Sequence, residues 1–278
     1  MLSYRHAFHA GNPADVLKHL VLVEVLGYMG EKDKPYVYID THAGAGLYRL
    51  DTPQAIRNRE FENGIGRLLD AGEPELQPYL EIIRHYNPDG VLHRYPGSPK
   101  IAAQLLRQQD QACLFELHPN EFPTLKQSFQ NNRQFQLFQE DGFDGLIRLL
   151  PPQFRRGCIL IDPSYEVKQD YVRAIEQLLR AVKRFATGVY LLWYPVVERS
   201  RIDSMQRALI KSGVRRLYCF ELQHAISHSE GMWASGLFAI NPPWMLMERM
   251  QTMLPILAER LGEAGSFGFR CEELVGEA

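Results

Sequence analysis

With 278 residues, 45% of them hydrophobic and 23% charged, the chain has a globular make-up that excludes a disordered tail, a fibrous repeat and a small disulfide scaffold. At about 150 residues per domain, that length fits one enlarged α/β domain or two small ones. The 31 Lys and Arg against 33 Asp and Glu give a formal charge of -2, which excludes a globally basic, nucleic-acid-coating chain but not a local basic face.

In chain order, the first helix is predicted over 13–29, where Asn12 supplies a capping side chain, Pro13 a preset φ and Asp15 a negative charge at the entrance. Strands are expected at 36–39, 113–117, 135–138, 158–161, 189–193, 217–222 and 237–240, and further helices over 98–109, 119–130, 168–185, 198–212 and 244–262. This alternation predicts an α/β fold: a seven-stranded, mostly parallel sheet with helices on both faces. The connection between the last two strands carries no helical pattern, so those strands are expected to pair antiparallel. Residues 47–96 break the rhythm with two helical stretches, 54–71 and 75–86, and no convincing strand. They read as an inserted helical subdomain in a domain built from 1–46 and 97–278. Cys113, Cys158, Cys219 and Cys271 form no CxxC pair or zinc-ligand spacing and read as small hydrophobes in a reducing compartment. No apolar signal segment opens the chain and no run of roughly 18 apolar residues crosses it, so a soluble, cytoplasmic protein without membrane contact is expected.

Candidate chemistry collects at the ends of the strands. Asp40-Thr41-His42-Ala43-Gly44-Ala45-Gly46 follows the first one, where Gly44 and Gly46 allow close backbone approach to a ligand. Without a third glycine or a P-loop lysine the run reads equally as a tight structural turn. Glu116 ends the second strand, placed to accept hydrogen bonds from both hydroxyls of a ribose or to cap a helix. Asp141-Gly142 follows the third, with an acid and a glycine suited to the amine and edge of an adenine. Acid-bearing strand ends on one side of a parallel sheet together describe a nucleoside pocket.

The fourth strand ends in Asp162-Pro163-Ser164-Tyr165. An exocyclic amine on adenine is a poor nucleophile because its lone pair is delocalised into the ring. The Asp162 carboxylate and the Pro163 carbonyl can gather its protons and localise that pair, and Tyr165 offers an aromatic face to a base taken out of its stack. The run resembles the (Asp/Asn)-Pro-Pro-(Tyr/Phe) signature of amino-group methyltransferases that use S-adenosylmethionine, with Ser164 standing where the signature has a rigid second proline.

Further stretches make the resemblance specific: Tyr4-Arg5-His6-Ala7-Phe8-His9-Ala10-Gly11-Asn12, Ala14-Asp15-Val16-Leu17-Lys18-His19, Tyr95-Pro96-Gly97-Ser98-Pro99, Trp193-Tyr194-Pro195-Val196-Val197 and Asn241-Pro242-Pro243-Trp244. The chain resembles the RlmJ family, the 23S ribosomal RNA (adenine-2030-N6) methyltransferases. The resemblance implies a Rossmann-like class I methyltransferase fold with a small helical insertion, S-adenosylmethionine as cofactor, no metal, free or early-assembly 23S ribosomal RNA as partner, and a monomer. It implies that His19, His42, Ser98, Glu116, Asp141, Gly142 and Asp162 contact the cofactor beside the glycine turn at Gly44. Asp162, with Pro163 and Tyr165, is then the catalytic group, and Tyr4, His6 and Lys18 lie on the RNA side. Read without it, His19 is a core histidine and Lys18 a solvated helix charge.

The signature does not distinguish sugars, so DNA adenine methylation, or a role in using external DNA, is a second reading, and a non-catalytic nucleic-acid-binding module a third. Over 180–216, nine Lys or Arg stand against two acids, forming either a phosphate-facing surface or a set of solvated helix faces. Trp193, Tyr194 and Trp244 either line the target-base pocket or fill the core behind it.

Overall fold

Helix α1 (Pro13–Glu31) starts as expected: Asn12 Oδ1 accepts the Asp15 amide at 2.9 Å, and Pro13 opens the first turn. It is apolar nearly all round, and a helix of that kind belongs inside the protein. Val16, Leu17, Leu20, Val21 and Leu22 are fully buried on its different faces. The computed structural model describes residues 5–226, 231–263 and 268–277, so Tyr4 lies outside the described residues.

Beyond α1 run β1 (Val37–Asp40), β2 (Leu47–Arg49), α2 (Pro53–Asn58), α3 (Glu60–Asn63), α4 (Gln77–Tyr86), β3 (Arg94–Pro96), α5 (Ser98–Leu105), β4 (Gln111–Phe115), α6 (Phe122–Phe129) and β5 (Phe135–Phe138). The second half comprises α7 (Gly142–Leu149), β6 (Gly157–Ile161), α8 (Gln169–Arg184), β7 (Val189–Val196), α9 (Arg199–Lys211), β8 (Leu217–Gln223), β9 (Ala234–Ile240), α10 (Leu246–Leu261) and β10 (Gly268–Val275). The main sheet has the order β10-β8-β9-β7-β6-β1-β4-β5. Strands β5, β4, β1, β6 and β7 are parallel, and β9 is antiparallel to both β7 and β8. This is a Rossmann-like, mostly parallel arrangement, with the reversed strand β9 wedged between β7 and β8.

Four features differ from the sequence expectation. The sheet has an eighth strand, β10, antiparallel to β8 at the edge. Its residues are mostly half-exposed, and Arg270, Glu272 and Glu273 interrupt the apolar ones, so no apolar run marks it. Residues 47–96 do contain strands: β2 and β3 form a separate antiparallel pair, each only three residues long and thus too short to show a period of two. The helix expected over 54–71 is broken where Arg59 adopts a left-handed φ of 51° and again at Gly64. The unforeseen α7 begins at Asp141, whose side chain caps it by accepting the Phe143 amide at 2.9 Å.

The insertion is not isolated from the rest. Ile65, Leu68, Tyr79, Leu80 and Ile83 share one apolar cluster with α1, α10 and one face of the sheet, while the other face packs against α7, α8 and α9. Leu20 sits at the centre of the first cluster with no exposed surface. Leu20→Ala should cost about 2–5 kcal/mol, read as a lower urea midpoint with an unchanged far-ultraviolet spectrum of the folded state.

Candidate active site

In a parallel sheet the ligand crevice lies at the carboxyl ends of the strands, where the chain order reverses. Here β1 is that switch point, between β4 and β6. A cleft of about 540 Å³ opens there, and its walls include His6, Lys18, His19, His42, Gly44, Ser98, Glu116, Asp141, Gly142, Asp162, Pro163 and Tyr165. Every site residue expected from sequence, apart from Tyr4, therefore lines one cavity.

The charged centre is an ammonium held between two carboxylates. Lys18 Nζ donates to Asp15 Oδ1 at 2.7 Å and to Asp162 Oδ2 at 2.6 Å. Lys18 is 4% exposed and Asp15 2%, so neither is a solvated helix charge. Burial alone would push the Lys18 ammonium down, but the two carboxylates outweigh it and raise its pKa far above the ordinary value. Burial would likewise raise Asp15, yet His6 and Lys18 beside it hold it well below the usual carboxylate range. Asp15 Oδ2 is further hydrogen-bonded to His6 Nε2 at 2.8 Å and accepts the Gly11 amide at 2.9 Å.

This arrangement leaves Asp162 half engaged. Among the described residues no hydrogen bond reaches its Oδ1 or the Pro163 carbonyl, and both residues line the cleft. Tyr165 has a left-handed φ of 52°, strained for a residue with a side chain. The strain is held by its hydroxyl, which donates to the Trp193 carbonyl at 2.7 Å, and by its ring, 4.5 Å from that of Tyr171. Ser164 is exposed, so the residue that replaces the second proline turns away from the core of the loop.

On the β1, β4 and α7 side the cleft is floored by backbone. Gly44 has a φ of 60°, and a Cβ there would fall 2.1 Å from the Tyr48 hydroxyl oxygen; at Gly142 it would fall 1.9 Å from the Thr41 carbonyl oxygen. Glu116 stitches the strand end to the glycine turn, accepting the Gly44 amide at 2.7 Å and the His118 amide at 2.6 Å, and burial raises its pKa. Asp40 is wholly buried and pushed up to about 6 by burial, although Ser98 Oγ and the Tyr38 hydroxyl each donate to it at 2.7 Å. His42, its ring 5.1 Å from Phe143, is driven down to about 4 by burial, so it is neutral at pH 7. His19 is 1% exposed, with Nδ1 hydrogen-bonded to the Tyr95 hydroxyl at 2.7 Å. It is at once a core histidine and part of the cleft wall.

The chain matches the profile of the family described as Ribosomal RNA large subunit methyltransferase D, RlmJ, over residues 33–272. It belongs to this family. Among curated proteins, "Ribosomal RNA large subunit methyltransferase J" of Escherichia coli (strain K12) is 47% identical over 96% of each chain. The Haemophilus influenzae protein of the same name is 43% identical over the full length of both. A crystal structure of a Legionella pneumophila protein superposes with a TM-score of 0.89 at 35% identity, covering 95% of this chain and 98% of that one. This RlmJ-family chain is accordingly a methyltransferase.

Sequence reading missed several wall residues. Arg173, from α8, donates to Asp141 Oδ2 at 2.8 Å and lies 4.8 Å from the Phe143 ring centre. Burial would raise Asp141, but Arg173 outweighs it and keeps the carboxyl low. Nothing in an amphipathic helix marks that arginine beforehand. Trp193 lines the cleft, its Nε1 buried without a partner among the described residues. Trp244 neither lines the cleft nor fills the core; it is 72% exposed near the opposite end of the sheet. The basic stretch over 180–216 is likewise split, with Arg199 and Arg201 near the end of β7 paired to Glu221 and Glu198, and Lys211 and Arg216 near the start of β8.

Lys18→Met should cost about 3–5 kcal/mol by leaving buried Asp15 and partly buried Asp162 without their cation, measured by urea unfolding at pH 7. The depressed pKa of Asp15 places the wild-type advantage above the unfolded value of about 3.9, so the gap should narrow as pH falls below it. For His42 the unfolded state binds the proton first, so stability falls as pH drops from 6.5 to about 4. His42→Asn should flatten the dependence of urea midpoint on pH across that window.

Proposed function

We propose that the protein transfers a methyl group from S-adenosylmethionine to N6 of one adenine in 23S ribosomal RNA, at a site of the A2030 type. The observation that carries this reading is Asp162, pinned by Lys18 through one carboxylate oxygen while the other stands open beside the Pro163 carbonyl. Two adjacent acceptors match the two protons of an exocyclic amine, and a hydroxyl or carbon nucleophile has no use for such a pair. The names of the RlmJ relatives support ribosomal RNA as the substrate class.

The cofactor fits the donor set at the other end of the cleft. Glu116 lies at a strand end suited to a ribose diol, Asp141 and Gly142 open α7 beside the place for an adenine edge, and Gly44 brings backbone close. His19, His42 and Ser98 complete that wall. Bound there, S-adenosylmethionine supplies a methyl carbon on a positively charged sulfur, a strong electrophile that needs no metal.

The protein's part is then acceptance and placement. Asp162 Oδ1 and the Pro163 carbonyl draw the amine protons, which localises the nitrogen lone pair. Asp162 would take the proton that the amine releases on accepting the methyl group. Lys18 stops Asp162 from turning away. Tyr165, locked through Trp193 and Tyr171, presents its ring to the flipped base, with His6 and Tyr4 on the RNA side. Holding the target base and the cofactor in one cleft would provide most of the remaining acceleration. Residues 47–96 form the inserted subdomain that braces α1, and the chain acts as a monomer.

Methyl transfer from labelled S-adenosylmethionine to protein-free 23S ribosomal RNA, with DNA of similar base content as competitor, tests the reading. Label should appear as N6-methyladenine at one RNA position; label in the DNA alone would overturn the substrate. Asp162→Ala should lower kcat by about 10²–10⁴ with cofactor affinity retained, and full activity in that variant would remove its catalytic role. Glu116→Ala should instead weaken cofactor binding by roughly tenfold, the loss of one to two charge-assisted hydrogen bonds.

A further inference from the structure

The Asn241-Pro242-Pro243-Trp244 stretch is not used by the cleft. It borders a second cavity of about 420 Å³ whose walls include Gly157 at the start of β6 and Val189 at the start of β7. The catalytic cleft opens at the other end of those same strands. The groove is the size of a small-ligand site.

Its chemistry is cationic and aromatic. Lys32, Arg156 and Arg216 line it, and the indole of Trp244 is 72% exposed beside Pro242 and Pro243. The cations are held rather than neutralised. Arg156 donates to the carbonyls of Met29 at 2.8 Å and Lys34 at 2.7 Å, and Arg216 donates to the Pro242 carbonyl at 2.8 Å. No carboxylate among the described residues pairs with Lys32 or Arg156, and Arg216 has only Glu277, 4.0 Å away and 85% exposed. Exposed Arg155, just before β6, and exposed Lys183, in the last turn of α8 before β7, add positive charge at the same end of the sheet. An excess of fixed cations around an open aromatic ring is complementary to a phosphodiester with an unstacked base, since the base stacks on the ring and the phosphates take the charges.

We infer that this basal groove is a second nucleotide-binding site, in which Trp244 stacks a base and Lys32, Arg156 and Arg216 hold its phosphates. Its ligand is a single-stranded stretch of the same RNA that carries the target adenine, a source that rests on the RNA reading of the cleft. The groove thus anchors a long substrate at the end of the sheet remote from the chemistry, and a short target hairpin does not reach it.

Trp244 fluorescence reads the site directly. Titration with a short unstructured oligoribonucleotide should quench the wild type, and the difference should vanish in Trp244→Ala. Lys32→Glu should weaken binding by about tenfold and reduce the salt slope by about one to two. Both side chains are exposed, and unchanged affinity for S-adenosylhomocysteine checks that each variant is folded. In turnover, Trp244→Ala should raise KM for full-length RNA by about tenfold, the loss of one base stack, with kcat and the KM for a target hairpin unchanged. Absence of Trp244-dependent quenching overturns the site. Quenching with an unaltered KM, or quenching by adenosine monophosphate as tight as by the oligomer, overturns the substrate RNA as its source. Quenching in a protein that methylates no RNA strikes the function proposed for the cleft and leaves the groove standing.

Discussion

One buried ammonium organises the catalytic end of this protein. Lys18 Nζ lies between Asp15, on its own helix, and Asp162, 144 residues away at the end of β6. Three charges out of water are costly unless they compensate one another, and breaking such a cluster is far worse than never building it. The fold therefore has to bring α1 and the loop after β6 together. The same contact fixes the rotation of the Asp162 carboxylate, so that one oxygen is used and the other open. Structural demand and the geometry of the cleft meet in a single ion pair.

The rest of the site depends on the polarity of the sheet. Because β1, β4, β5, β6 and β7 run parallel, the acids that follow them arrive at one end: Glu116, Asp141 and Asp162. Concentrated carboxylates repel, and here backbone amides and cations offset them. The Gly44 and His118 amides hold Glu116, Arg173 holds Asp141, and Lys18 holds Asp162. Asp40, with only neutral donors, is the member driven toward protonation. At the other end of the strands the connections carry Lys32, Arg155, Arg156 and Arg216, so the two ends of the sheet differ in charge as well as in shape.

Rigidity in the Asp162-Pro163-Ser164-Tyr165 loop comes from aromatic packing rather than from proline. Tyr165 keeps a strained backbone because its hydroxyl, its ring and the ring of Trp193 are tied into one cluster. A second proline would restrict the same turn through φ; Ser164 leaves that to its neighbours, and its own side chain is exposed. The orientation of the loop is then a property of β7 as much as of the Asp-Pro run itself.

What the sequence determined by itself is what local chemistry encodes. Apolar runs ending in Asp40, Glu116 and Asp162 marked strands and placed their acids at one end, because parallel strands separated by helices admit no other arrangement. The Asn12 cap and Pro13 marked the start of α1 for the same local reason. The short pair β2 and β3 and the half-exposed β10 left no such trace, since each gains its stability from a partner distant in the chain, and the eight-residue α7 is too short to show a clear helical period. Only the tertiary structure decided that Lys18 is buried rather than solvated, that Arg173 belongs to the cleft and that Trp244 does not. A side chain's charge and type are written in the sequence, but its partner is chosen by packing, and the partner sets what the group can do.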